Sequence, residues 1–259
     1  MAFTPQYGAY PQASAATNAA VIDAGLRAYM LRVYNWMASG LVLTGIIAYA
    51  IASIPALHGL FFRDVMTQFG QVAHNQPTAL TMIAVFAPLG FVLVLSLGVN
   101  RLSTSAAQAL FWAFCACMGA SLTSIFIVYT SASIVQVFFI TAGTFAGMSL
   151  WGYTTKSDLS RMGSFLMMGL FGMIIAGFVN FFLHSSALQY ALSLIGVVVF
   201  TGLTAYDTQR IKADYVQYVY ATGVDGANKR SVYDALSLYL NFINLFMLLL
   251  QLLGNRNNN

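Results

Sequence analysis

MGSFLMMGLFGMIIAGFVNFFLHSSALQYALSLIGVVVFTGLTAY, residues 162–206, is a run of 45 residues without Asp, Glu, Lys or Arg, closed by Arg161 before it and Asp207 after it. A helix crossing a bilayer core of roughly 30 Å needs about 20 mostly apolar residues. The run therefore holds two crossings, roughly 163–183 and 187–206, with His184-Ser185-Ser186-Ala187 as the polar break where the chain turns. Membrane barrel strands are alternating segments of about ten residues, whereas these runs are apolar without interruption, so the crossings are helices.

The same punctuation divides the rest of the chain. The interval 102–155 is too long for one helix and breaks at Thr130-Ser131-Ala132-Ser133, giving roughly 106–129 and 134–153. Three further uncharged intervals hold one helix each, roughly 34–54, 78–99 and 235–253. The expected fold is all-α: a polytopic membrane protein with seven transmembrane helices. Pro88 lies inside the second helix and is expected to kink it.

Composition agrees. Of the 259 residues 59% are hydrophobic and only 7% charged, with mean hydropathy +0.75. A soluble domain carries roughly 25% charged residues, so a water-soluble fold is excluded. The eighteen charges are eleven Lys and Arg and seven acids, every one of them Asp. With seven crossings, Arg27, Arg32, Arg101, Lys156, Arg161, Arg210, Lys212, Lys229 and Arg230 fall on one side and only Arg63 and Arg256 on the other. Nine against two places the N-terminus in the cytoplasm and the C-terminus outside. Residues 1–25 have neither a basic start nor an apolar stretch, so they are expected to form a flexible tail rather than a signal peptide. The membrane domain is then 26–254, followed by a short C-terminal tail, 255–259.

Several function classes drop out. A retinal protein needs a Lys within a span for its Schiff base, and Lys156, Lys212 and Lys229 all fall in connections. An intramembrane protease needs a nucleophile with its base, or paired carboxylates, at membrane depth; the three histidines lie at helix ends and no two Asp lie within spans. No phosphate loop, dinucleotide fingerprint or metal-ligand cluster occurs, so the chain is not expected to be an enzyme, to hold a resident cofactor or to bind nucleic acid. Cys115 and Cys117, two residues apart on a helix, point about 200° apart and are expected as separate buried thiols. Gly143 and Gly147 form a GxxxG pair, expected to serve packing inside the bundle, with dimerisation as the alternative.

Asp207 stands apart. An ionisable group at membrane depth is costly and normally faces the bundle interior or a water-filled cavity. It lies at the cytoplasmic end of the sixth crossing, Asn241 about two turns into the seventh, and Arg101 at the cytoplasmic end of the second. A carboxylate, a carboxamide and a guanidinium are thus expected in one membrane layer. Asn241 and Asn244, three residues apart, share a helical face, and two amides facing lipid would be expensive, so that face is expected to look inward. Oxygen ligands suit hard cations; Asp207 with Asn241 and Asn244 makes a thin, weak site for Ca2+ or another cation in passive transit. Asp234, seven residues before Asn241, is expected as a solvated acid at the cytoplasmic mouth.

These residues bring a family into view. Arg32-Val33-Tyr34 before the first crossing, Gly152-Tyr153-Thr154-Thr155-Lys156-Ser157-Asp158-Leu159 after the fourth, Tyr206-Asp207-Thr208-Gln209, and Leu236-Ser237-Leu238-Tyr239-Leu240-Asn241-Phe242-Ile243-Asn244-Leu245-Phe246 resemble the motifs of the Bax inhibitor-1/YccA family of transmembrane Bax-inhibitor-motif proteins. The resemblance covers roughly residues 26–254 and points to a bacterial member in the inner membrane. It implies a bundle with a central seventh helix and a pH-sensitive calcium leak gated by two aspartates sharing a proton. One is Asp207; the other is replaced here by Asn241. An Asp–Asn pair has no like-charge repulsion, so the resemblance implies pH gating that is weakened or shifted. It also implies a basic latch onto Asp207, for which Arg101 is the candidate; Arg101→Ala would then raise basal flux. The alternative it implies is a membrane-embedded modulator of a membrane AAA protease or other membrane partner, without ion transport, for which the N-terminal tail would matter more than Asp207.

Overall fold

Seven helices long and apolar enough to cross a membrane form in the computed structural model, which describes residues 13–66, 72–99, 101–219 and 223–257. In chain order the elements are α1 (Ala13–Ser53), a short α2 (Pro55–Phe61), strands β1 (Phe62–Met66) and β2 (Val72–Pro77), then α3 (Ala79–Gly98) and α4 (Thr104–Leu122). A short α5 (Ser124–Val128), α6 (Ser131–Thr154), α7 (Ser160–Leu183), α8 (Ser186–Asp214) with a π-helical turn (Tyr215–Val219), and α9 (Gly223–Leu253) complete the chain. The crossings are α1, α3, α4 with α5, α6, α7, α8 and α9.

The polar breaks read from the sequence are capped turns. Thr130 and Ser185 accept hydrogen bonds from the backbone N–H groups of Ser133 and Leu188, satisfying first-turn donors of α6 and α8 that lipid cannot solvate. His184 ends α7 in the left-handed region at φ 49°.

The central position of α9 follows from its packing. It lies against α8, α1, α6 and α4, and 56% of its apolar window is buried, against 6% for α7. Tyr239 on α9 is fully buried between the edges of Phe111 and Phe114, and its hydroxyl meets Thr44 Oγ1 at 2.7 Å. By contrast α7 is apolar all round, and its Phe165, Met168, Phe171, Ile175 and Phe178 are exposed, which suits a helix bathed in lipid.

The helices outrun the spans. α8 passes Asp207 and continues to Asp214, because Gln209, Arg210, Lys212 and Ala213 are good helix formers and Ile211 is fully buried. A charge therefore ends an apolar span without ending its helix. α1 begins at Ala13, inside the segment expected as a tail; residues 1–12 lie outside the described residues. The expected C-terminal tail is tied down as far as Asn257: Asn255 N–H donates to Ser133 Oγ at 2.9 Å and Asn257 N–H to the Val128 carbonyl at 2.9 Å. Gly143 and Gly147 correct another expectation. Both are exposed on α6, with nothing within 4 Å of where a Cβ would stand, so they do not pack inside the bundle. The close approach falls instead at Gly152, where a Cβ would strike the carbonyl oxygen of Ala205; the missing side chain lets α6 press on α8 two residues before Asp207.

The α1–α3 connection also holds an antiparallel hairpin, with β1 paired to β2. Asp64 braces it, accepting from Asn75 N–H and from His74 Nδ1, each at 3.0 Å. The Asn75 amide first, and the His74 ring second, hold the exposed Asp64 carboxyl below the usual carboxylate range. A lowered value means the brace is intact above the ordinary pKa of about 4 and is lost as pH falls through the lowered one. Amide exchange at Asn75 is expected to stay slow down to about pH 4 and to quicken only below it; protection lost already near neutrality would contradict the brace.

Candidate functional site

Asp207 is buried, 8% exposed, although it carries a charge at the edge of an apolar run. Both carboxylate oxygens are occupied. Asn241 Nδ2 on α9 donates to Oδ2 at 2.7 Å, and Arg210 Nη2, one turn along α8, lies 3.0 Å from Oδ1. α8 packs extensively along α9, which sets the first bond; helix geometry at i, i+3 sets the second. A buried carboxylate is tolerable when paired and hydrogen-bonded, and this one is both.

The carboxylate and carboxamide expected together are together. The guanidinium is a different one. Arg101 is exposed in the turn after α3, a helix packed chiefly on α4, and it makes no ion pair among the described residues. The latch onto Asp207 expected of Arg101 is thus not formed; Arg210 occupies that place. The sequence did carry a signal for it, the i, i+3 spacing on an extended helix, but only if α8 continues past the membrane edge. Asn244 lies on the same face as Asn241, donates to its own-helix Leu240 carbonyl at 2.9 Å, and does not touch Asp207.

A groove of about 640 Å³ opens between α7, α8 and α9, with Asp207, Arg210, Ser237, Asn241, Asn244 and Gln251 as its polar lining. Its walls are apolar, with Met167, Met173 and Met247 among them. A second cavity of about 400 Å³ lies at the end of the bundle where the basic residues gather, between Lys156–Ser160 and the end of α8, and Arg210 lines it as well. The roof of that cavity is held by Gln209, whose Nε2 donates to the Ser157 carbonyl and whose Oε1 accepts from Leu159 N–H, both at 2.8 Å. The segment after the fourth crossing and the Tyr206–Gln209 motif, separate in the sequence, are therefore one structure.

Asp234 corrects the expectation of a solvated acid. It is 2% exposed, accepts from Tyr29 OH at 2.6 Å, and sits 3.2 Å from Arg230 Nε, at ion-pair distance but without hydrogen-bond alignment. Arg230 Nη2 reaches Asp214 at 2.8 Å, so the group ties α1, α8 and α9 together.

Among the described residues no three His, Cys or acidic side chains gather to hold a metal ion. The donors at hand for a cation are the oxygens of Asp207, Asn241 and Asn244, and a cation at Asp207 would compete with Arg210 and Asn241. Such a site fits weak, transient occupancy by a hard cation, not a resident ion.

Residues 26–258 match the family model described as Inhibitor of apoptosis-promoting Bax1. The chain is 44% identical to the inner membrane protein YbhL of Escherichia coli K12 over 233 residues, 90% of this chain and 94% of that one. It is 46% identical to an uncharacterized protein of Caulobacter vibrioides over 235 residues, 90% of either chain. With protein RP147 of Rickettsia prowazekii it shares 46% identity, covering 90% of this chain and 92% of the relative.

Proposed function

The chain belongs to the family of inhibitors of apoptosis-promoting Bax1, and on that premise we propose that it is a passive, calcium-permeable cation leak. In this reading it resides in the bacterial inner membrane, its N-terminus cytoplasmic and its C-terminus outside, so the basic end of the bundle faces the cytoplasm. Asp207 is the acid at membrane depth that attracts the cation, and the pH response is weak because Asn241 stands where a second acid would share its proton.

The observation that carries the reading is a buried carboxylate on the wall of a membrane-embedded groove, with carboxamides beside it. Intramembrane acids are expensive and are kept for ion or proton paths. A purely structural acid at this position would need no cavity. Oxygen donors with a single acid among them bind Ca2+ loosely, which suits conduction, since an ion that enters must also leave.

Reconstituted in proteoliposomes, the protein is expected to pass Ca2+ down its gradient, and Asp207→Asn, which keeps the size and one of the two acceptor oxygens, is expected to bring the flux close to that of protein-free vesicles. Undiminished flux through Asp207→Asn would reject Asp207 as the site. No flux through the parent protein in either direction would reject the leak itself.

A further inference from the structure

A crevice of about 430 Å³ runs between α1 and α6, on helices that do not line the groove of Asp207. Both helices pack on α9 rather than closely on each other, which leaves the gap. Arg27, Leu31 and Tyr34 line it from α1 and Ala146, Leu150 and Tyr153 from α6, each set at i, i+4 and i+7 and so on one helical face. As first and fourth crossings, α1 and α6 run in opposite directions. Arg27 and Tyr153 therefore stand together at the basic end, with Tyr34 and Ala146 about 10 Å deeper.

Inside, the polar groups of the crevice are satisfied by one another. The Tyr34 and Ser149 hydroxyls are hydrogen-bonded, and Ser149 Oγ lies 2.9 Å from Thr208 Oγ1 on α8. Ser149 and Thr208 are buried, so this chain of hydroxyls closes the floor and leaves little for a polar guest to bond. Leu31 and Leu150 stay exposed on the walls. Deeper along α6, Gly147 and Gly143 have open space where a Cβ would stand, and the crevice continues past them as a shallow trough. From Tyr153 to Gly143 it is about 15 Å long, the depth of one leaflet of a bilayer core of roughly 30 Å.

The rim is cationic. Arg27 is exposed and makes no ion pair among the described residues, not even with Asp23 one turn before it. On the facing wall, Lys212 Nζ donates to the Tyr153 carbonyl at 2.9 Å and lies 4.9 Å from the centre of the Tyr153 ring, again with no acid in contact among the described residues. Arg210 and Arg230, by contrast, each hold a carboxylate. Cations without acids over an apolar slot one leaflet deep call for an anion joined to an apolar chain. A second copy of the chain seated here about a twofold axis would bring its own Arg27 to the same level, cation against cation.

We propose that this crevice binds an anionic phospholipid from the leaflet at the basic end, with one acyl chain in the trough along α6 and the phosphate between Arg27 and Lys212. The chain exchanges lipid for equally apolar protein, so it contributes little to the choice of guest. The headgroup makes the choice, each cation near the membrane surface strengthening the hold about fivefold. None of the lining residues belongs to the groove of Asp207, so the lipid site stands whether or not the protein passes an ion.

Native mass spectrometry of the full chain in a nonionic detergent tests this, with phosphatidylglycerol or phosphatidylcholine of the same acyl chains added in steps. The parent is expected to retain phosphatidylglycerol about tenfold more tightly than phosphatidylcholine. Arg27→Gln, at an exposed side chain, is expected to weaken phosphatidylglycerol about fivefold, and Arg27→Gln with Lys212→Gln about 25-fold, with phosphatidylcholine unchanged. Arg27→Lys is expected to keep the parent's affinity. Ala146→Phe puts a ring into the trough at an exposed position and is expected to weaken phosphatidylglycerol without altering charge. Should the double variant not fold, Arg27→Gln alone carries the test. Equal retention of the two lipids by the parent, or an affinity untouched by Arg27→Gln, would overturn the anionic site. Weakening by the charge variants but not by Ala146→Phe would overturn the crevice and leave a phosphate held at the surface alone. A lipid-free dimer that Ala146→Phe dissociates would give this face to a second copy instead.

Discussion

Asn241→Asp is expected to turn a calcium flux that changes little with acidity into one that changes about tenfold between the ordinary carboxylate pKa of about 4 and about pH 8. In the parent, Asn241 donates to Asp207 Oδ2 at 2.7 Å, and a carboxamide neither titrates nor repels the carboxylate. With an acid at 241, two carboxyl groups face each other beside the Arg210 guanidinium. Both cannot ionise cheaply at that distance, so the pair takes up a proton and titrates as a unit. Protonation removes the acid–acid repulsion and loosens the hold on Arg210, so conductance becomes linked to pH. The measurement is flux in proteoliposomes of matched protein content across that range, parent against variant. Superimposable profiles would show that position 241 does not set the pH response.

Asp234→Ala is expected to destabilise the bundle by about 1–3 kcal/mol, since it leaves the buried Tyr29 hydroxyl without its acceptor. The tie of α1 to α9 is lost: Tyr29 on α1 loses its 2.6 Å acceptor, while Arg230 on α9 keeps Asp214. Asp234→Asn keeps an acceptor for Tyr29 and is expected to lose less. Thermal unfolding in detergent reads this directly, with a midpoint lowered by roughly 5 °C for the alanine variant and by a smaller step for the asparagine one. Equal midpoints for parent and alanine variant would return Asp234 to the role of a solvated surface acid.

These two positions show how far the residues speak for themselves. Asn241 announces itself, because an amide within an apolar run has to find a partner and Asp207 is the one acid at the same depth. Asp234 is seven residues away on the same helix, but nothing local tells a solvated acid from a buried one. Its burial depends on Tyr29, which lies 205 residues away. Arg101 and Arg210 divide likewise: both sit beside the membrane edge in the sequence, and only the packing of α3 on α4 and of α8 on α9 decides which can reach Asp207.

The eighteen charges of the chain bound its apolar runs, and those runs determine by themselves seven crossings and an all-helical fold. That follows from a one-dimensional rule, because each helix satisfies its own backbone in lipid and its length need only match the bilayer. Which helix is central, which glycine admits a neighbour, and which arginine stands between two cavities were decided by the tertiary structure. Those are questions of which faces meet, and an apolar helix in lipid gains little from turning one apolar face inward rather than another. Small residues, hydrogen bonds and the few buried charges choose the orientation, and their partners lie far off in the sequence. Residues 162–206 could therefore announce two helices, but not that the first would face lipid while the second carried Asp207 into the centre of the site.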